Sequence, residues 1–190
     1  MPRLKDPDGR ARERRAQILE TAVRVFGEKG YHAANIADIA RRTGLGHGTF
    51  YRYFRNKLDI FDAVIEAIVA DVAKLVTDED PTSSRTLDDY RAQLERIGRR
   101  FLDLFARDES LARLLFREGF VVDPAVAAKV RHAMDLFAGL TRAYLDNGVA
   151  RGFLRDDLDT ETAARAVNAM IFDSIDHVTR SKTPHETALR

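Results

Sequence analysis

The sequence predicts an all-α protein, and three observations carry that prediction. Of 5 Pro residues, Pro2, Pro7 and Pro184 lie near the ends, so only Pro81 and Pro124 interrupt the interior. The stretches between these breakers repeat apolar residues every three or four positions, the period of a helix with one buried face. No segment sustains the strict apolar–polar alternation of a half-buried strand.

Each element has its own start and stop signals. A first helix over about 10–29 places Ile18, Leu19, Ala22, Val25 and Phe26 on one face and stops at Gly30. Asn35 caps a short second helix, with Asp38 reaching back as a short capping box, and Ile36, Ile39 and Ala40 form its apolar side. That helix ends by Thr43-Gly44, where Gly44 takes the left-handed conformation of a tight turn plugged by Leu45. Another short helix spans His47 to Tyr53. Asn56 and Asp59 open a helix over 56–76 that carries Phe61, Val64, Ile65, Ile68, Val72 and Leu75.

Thr77 to Ser84 is polar and reads as a loop. Thr86 and Asp89 cap the next helix, with Leu87, Tyr90, Leu94, Ile97, Phe101 and Leu104 on its inner side. A helix from Asp108 ends near Gly119. Asp123-Pro124 opens a long helix, about 124–146, that Asn147-Gly148 is expected to end. After a loop at Arg151–Asp157, Asp159 opens the last helix, about 160–179. The architecture expected is an N-terminal three-helix domain containing a helix-turn-helix, followed by a C-terminal antiparallel helical bundle.

Composition narrows the function. The 190 residues are 45% hydrophobic and 32% charged, enough apolar content for a real core. The absence of Cys excludes a disulfide scaffold, thiolate metal sites and Cys nucleophiles. No apolar run approaches the roughly 20 residues of a membrane span, and Met-Pro-Arg-Leu-Lys-Asp has no apolar region behind it, so a soluble cytoplasmic protein is expected. The net charge is +1, yet residues 1–60 carry +6 and residues 61–190 carry −5. A basic head on an acidic body suits a polyanion partner for the head alone.

The head also holds the motif. Helices 35–43 and 47–53, joined by a Gly-containing turn, make a helix-turn-helix, in which one short helix braces another narrow enough to enter the major groove of DNA. The exposed side offers His47, Thr49, Tyr51, Arg52 and Arg55, while Phe50 and Phe54 turn inward with Leu45. Arg10, Arg12, Arg14, Arg15, Arg41, Arg42, Arg52, Arg55 and Lys57 surround the motif with positive charge. An enzyme is disfavoured: His32, His47, His132, His177 and His185 show no metalloprotease spacing, and no nucleophile elbow occurs. Gly44-Leu45-Gly46-His47-Gly48 lacks the preceding strand and the spacing of a dinucleotide loop. No cofactor or metal is expected.

Residues 30–61 resemble the DNA-binding domain of the TetR family of transcriptional regulators. The resemblance rests on Gly30-Tyr31, Asp38-Ile39-Ala40, Gly44-Leu45, Gly48-Thr49-Phe50-Tyr51, Tyr53-Phe54 and Lys57. With the flanking helices it covers about residues 10–75, and the remainder agrees only in its series of amphipathic helices. It implies that 47–53 is the recognition helix, with His47, Gly48, Thr49 and Tyr51 nearest the bases or groove wall. Thr49, Tyr51, Tyr53 and Lys57 would include the phosphate contacts. Asn35 and Gly46 stand where hydroxyl residues are usual, so a phosphate contact at 46 would fall to the backbone amide. The DNA-binding set expected is Asn35, Gly46, His47, Gly48, Thr49, Tyr51, Arg52, Tyr53 and Lys57.

The same resemblance implies a regulator, by family default a repressor, that binds a palindromic double-stranded DNA operator as a homodimer and is released by a small-molecule effector, expected to be apolar because the candidate faces carry few charges. It divides the chain into a tail (1–9), the helix-turn-helix domain (10–55), a connecting helix (56–76), a ligand-binding and dimerisation domain (77–180) and a second tail (181–190). Pocket candidates are Phe101, Phe105, Phe116, Phe120, Phe137 and Tyr144, with the mid-helix Gly98 and Gly139 as signs of close packing or a bend. Dimer candidates on the last helix are Ala163, Val167, Met170, Ile171, Ile175 and Val178, although such a strip also suits the protomer's own core. A ligand-independent or non-specific DNA-binding protein is the alternative.

Overall fold

The computed structural model describes residues 7–181, except for the side chains of residues 7, 8, 47, 176 and 178–181. The expectations for the first six residues, for residues 182–190 and for the side chains of His47 and Val178 lie outside what is described. Among the described residues every regular element is helical. By internal contacts the chain forms two compact units, residues 1–67 and 68–190, with the division inside one continuous helix.

In the first unit, α1 (Pro7–Ala33) buries Ile18, Ala22, Val25 and Phe26 completely, the face expected from their spacing. Gly30 sits at φ 75°, ψ 160°, so the helical path is broken there as its lack of a side chain predicts. Helix α2 (Ile36–Thr43) starts at Asn35, whose side chain accepts the Asp38 N–H at 2.9 Å. It ends at Gly44 (φ 67°), and the N–H of Leu45 reaches Ala40 O at 3.0 Å. Helix α3 (His47–Phe50) is shorter than the sequence suggests. Beyond Phe50 the chain tightens into turns in which Arg52 and Tyr53 donate to carbonyls three residues back, because Phe50 and Phe54 must both enter the core. Helix α4 (Lys57–Thr77) is capped by Asn56, which accepts the Asp59 N–H at 2.8 Å. Phe61 meets Phe26 edge-on at 5.5 Å and Tyr31 at 4.9 Å, closing the core of the unit.

In the second unit, α5 (Leu87–Arg107) carries the full capping box of Thr86 and Asp89. Helix α6 (Glu109–Arg113) runs into a π-helical turn, Leu114–Glu118, and then α7 (Gly119–Val121). Gly119 has helical angles and does not stop the helix. Helix α8 (Pro124–Ala150) begins at Asp123, whose carboxylate accepts from Ala125 and Val126, and α9 (Thr160–Ser181) packs antiparallel to it.

Asn147-Gly148 does not end α8, contrary to expectation. The N–H groups of Phe153 and Leu154 fold back on Gly148 O, both at 3.1 Å, and Gly152 at φ 76° makes the turn. A Cβ on Gly148 would lie 2.5 Å from Leu154 Cδ1, so this glycine serves a close approach within the helix. The polar segment after α4 is also more fixed than a loop reading implies. Gln93, only 1% exposed, donates to Asp80 O and accepts from Ser84, while Asn147 holds Ser84 O. Glu79 bonds Arg96 at 3.0 Å and faces Arg100, and the Arg96 hydrogen bond holds its carboxyl below the usual range.

Candidate nucleic-acid interface and effector cavity

The turn between α2 and α3 presents one polar edge. Asn35, Gly46, Gly48, Thr49 and Arg52 are exposed, and Tyr51 is 51% exposed although its ring also meets Phe50. Tyr53 is half-buried. Phe50 and Phe54 fix the backbone behind this edge, so Thr49 and Tyr51 project from a rigid support. The exposed position of Asn35 leaves its oxygen committed to the α2 cap.

Much of the surrounding positive charge is engaged inside the fold. Asp38 receives Lys29 at 2.7 Å and Arg41 at 2.6 Å, and Lys29 first, then the Asn35 N–H and Arg41, hold its carboxyl below the ordinary value. Arg42 forms a two-pronged pair with Glu28, Arg55 faces Asp59, and the Arg15 guanidinium lies 5.0 Å above the Phe54 ring. Lys57, expected among the phosphate contacts, is held within the fold. Its ammonium donates to the carbonyls of Tyr31, His32 and Ala34 at 2.8, 3.2 and 2.9 Å and sits over the Tyr31 ring. The sequence could not signal this, because the carbonyls converge only after α1 breaks at Gly30.

The second unit contains a largely apolar cavity of about 420 Å³. Its walls come from the end of α4 (Val76), α5 (Ile97, Phe101), α8 (Phe137, Tyr144) and α9 (Val167, Ile171, Phe172). The volume suits a small organic ligand. The Tyr144 hydroxyl donates out of the wall to Val76 O (3.3 Å) and Glu79 O (3.0 Å), joining the cavity to the C-terminal end of α4. The same contact desolvates the phenol and sets it near Glu79 and Asp80, which raises its pKa.

Comparison with known proteins accords with this anatomy. Residues 18–64 match the family "Bacterial regulatory proteins, tetR family", and residues 87–176 match "Tetracyclin repressor-like, C-terminal domain". The HTH-type transcriptional regulator TtgR of Pseudomonas putida is 30% identical over 170 residues, covering 85% of this chain and 78% of the relative. The chain belongs to the TetR family of transcriptional regulators. The HTH-type transcriptional activator FasR of Mycolicibacterium smegmatis is 35% identical over 123 residues; the match spans 65% of this chain and only 54% of FasR. Among solved structures, the regulator FadR of Bacillus subtilis in complex with stearoyl-CoA shares 25% identity at a TM-score of 0.69, over 90% of this chain and 88% of that one.

Within this family framework, the expected pocket and dimer residues sort differently from the sequence reading. Phe101, Phe137 and Tyr144 line the cavity, whereas Phe105, Phe116 and Phe120 do not. Phe105 and Phe116 stack behind the wall, where Phe116 meets Phe172 at 5.2 Å, and Phe120 is half-buried on α7. The strip read for dimerisation also borders the cavity: Val167, Met170, Ile171 and Ile175 all line it, and Ile175 is buried in its own protomer. Met170 and Ile171 also remain exposed, and Ala163 is half-buried. A single helical period cannot tell a wall facing a cavity from one facing a partner, since both are apolar. Of the two marked glycines, Gly98 lies on the cavity wall and Gly139 is exposed; neither is crowded. Phe172 was missed, although its position four residues after Asn168 and three before Ile175 sets it on the same face.

Proposed function

We propose that this protein is an effector-responsive repressor: a homodimer that binds a palindromic operator and is released when an apolar small molecule occupies the cavity of each second unit. The observation that supports this most directly is the bond from the cavity-wall Tyr144 to the C-terminal end of α4. The N-terminal end of that same helix follows the helix-turn-helix. A ligand that moves Tyr144 thereby acts on the helix that continues into the DNA-binding unit. The effector class proposed is fatty-acyl, in keeping with the apolar walls and with the stearoyl-CoA of the Bacillus subtilis relative.

Thr49, Tyr51 and Arg52 are the proposed base and groove contacts, joined by His47, Gly48 and the Gly46 amide, with Asn35 and Tyr53 at the margins. Dimerisation is assigned to the outward faces of α8 and α9, where Leu136 is 57% and Met170 is 62% exposed. The paired recognition segments would then sit about 34 Å apart, one turn of DNA. Moving the population from almost wholly operator-competent to almost wholly incompetent requires about 5.5 kcal/mol of differential ligand binding.

Selection of bound sequences from random DNA, combined with sedimentation of the free protein, tests the reading. A dimer that enriches one palindrome and releases it on addition of a long-chain acyl compound supports it. A strictly monomeric protein that enriches no sequence overturns it. Enrichment that ignores every apolar compound leaves the ligand-independent alternative.

A further inference from the structure

The cavity wall is apolar apart from a few polar side chains, and their hydrogen bonds determine what a ligand can find there. The Tyr144 hydroxyl is spent on Val76 O and Glu79 O. The Ser174 hydroxyl is spent on Met170 O at 2.7 Å. The Thr141 hydroxyl donates to Asn168 Oδ1 at 3.0 Å. Asn168, on α9, is only 8% exposed, and its Nδ2 is buried without a hydrogen-bond partner. A buried amide nitrogen with two unspent donors is costly, and such groups in native proteins are normally satisfied. Among the described residues no Asp, Glu, Lys or Arg lines the cavity, so these walls offer no counter-charge to an ionised ligand.

We infer that Asn168 is the specificity-determining residue of this cavity: its Nδ2 donates to a neutral acceptor oxygen, such as a ketone or thioester carbonyl, on an otherwise apolar effector. This inference rests on the effector reading given above and names the chemistry of the ligand. Thr141 is the positioning residue, because its donated hydrogen bond fixes Oδ1 and so directs Nδ2. The terminal torsion of Asn is broad, so a small swing of the amide brings Nδ2 to the cavity while Oδ1 keeps Thr141. A carbonyl oxygen in that place satisfies the nitrogen, whereas a methylene group there leaves it bare. An ionised carboxylate would meet no cation among the described residues of the wall.

Benzophenone and diphenylmethane test this directly, since they share two aromatic rings and differ in a central carbonyl or methylene. Binding is measured by calorimetry on the full-length protein, and the Asn168 side-chain amide is followed by ¹⁵N–¹H NMR, assigned by its loss in Asn168→Leu. The wild type should bind benzophenone about tenfold more tightly than diphenylmethane, the effect of one satisfied hydrogen bond, with a shift of the Asn168 amide for the ketone alone. Asn168→Leu should bind diphenylmethane at least as well as the wild type and lose the ketone preference. Thr141→Val should reduce the preference and Thr141→Ser should restore it, a pattern that a merely structural threonine would not give. Equal binding of both probes by the wild type, or a preference that survives Asn168→Leu, overturns the inference and leaves the effector cavity standing. Failure of both probes to bind the folded wild type counts instead against the effector cavity itself. Should Asn168→Leu not fold, the Thr141 pair and the wild-type NMR shift decide the matter.

Discussion

Replacing Lys57 by Met asks whether this ammonium serves the fold or the duplex. Met keeps an unbranched apolar stem and removes the charge with its three donors. In the folded chain those donors meet the carbonyls of Tyr31, His32 and Ala34 at 2.8–3.2 Å, with the Tyr31 ring 4.4 Å from the nitrogen. A hydrogen bond from a charged group contributes about 1.5–3 kcal/mol. A cation–π contact at an accessible site adds about 0.5–1 kcal/mol. Three acceptors share one half-buried ammonium, so these values do not add, and a loss of about 2 kcal/mol is expected. At a urea slope of about 2 kcal/mol per molar, the midpoint of the N-terminal unit should fall by about 1 M. Urea unfolding followed by circular dichroism measures this, alongside operator affinity over a salt series. A clamp lowers the midpoint and leaves the salt slope of the folded protein unchanged. A phosphate contact lowers the slope by about 0.9 and leaves the midpoint where it was. That second result refutes the clamp and restores the role that the family resemblance implies.

Three further outcomes are expected. Gly44→Ala places a Cβ at φ 67° with no atom within 4 Å, so its cost is backbone strain alone, about 1 kcal/mol, and thermal denaturation should show it while Gly44→Asn costs less. Tyr144→Phe removes a hydroxyl shared between Val76 O and Glu79 O; it should cost about 1 kcal/mol and weaken effector-driven operator release more than effector binding, and unchanged release by gel shift would contradict the proposed linkage. Acid should destabilise the first unit, because Asp38, bonded to Lys29, and Asp59, bonded to the Arg55 N–H, both have carboxyl pKa values lowered by folding. Their contribution is complete above the ordinary carboxylate range near pH 4 and is lost as pH falls through and below it, so urea midpoints should hold from pH 7 to 5 and then drop.

The helical fold was written in local signals. Caps at Asn35, Asn56, Thr86 and Asp123, the breaker at Gly30 and the tight turn at Gly44 each act within a few residues, so composition and spacing suffice to read them. The Gly-Thr-Phe-Tyr segment was legible for the same reason, since burial of Phe50 and Phe54 obliges Thr49 and Tyr51 to face outward. Gly148 misled because one residue type serves two ends: a left-handed turn, or a close approach by Leu154 from six residues on.

What tertiary structure alone decided is how charges and apolar faces are spent. Arg41, Arg42 and Arg55 counted toward the positive charge around the motif and Lys57 was expected at a phosphate, yet each has a partner within the folded unit that the sequence places 3 to 26 residues away. Val167, Ile171 and Ile175 had the periodicity of an interface, and they line a cavity because α5 and α8 pack across from them. Periodicity states that a face is buried; only the packing of distant helices states against what, and whether a hydrogen-bond donor such as Asn168 is left over among them.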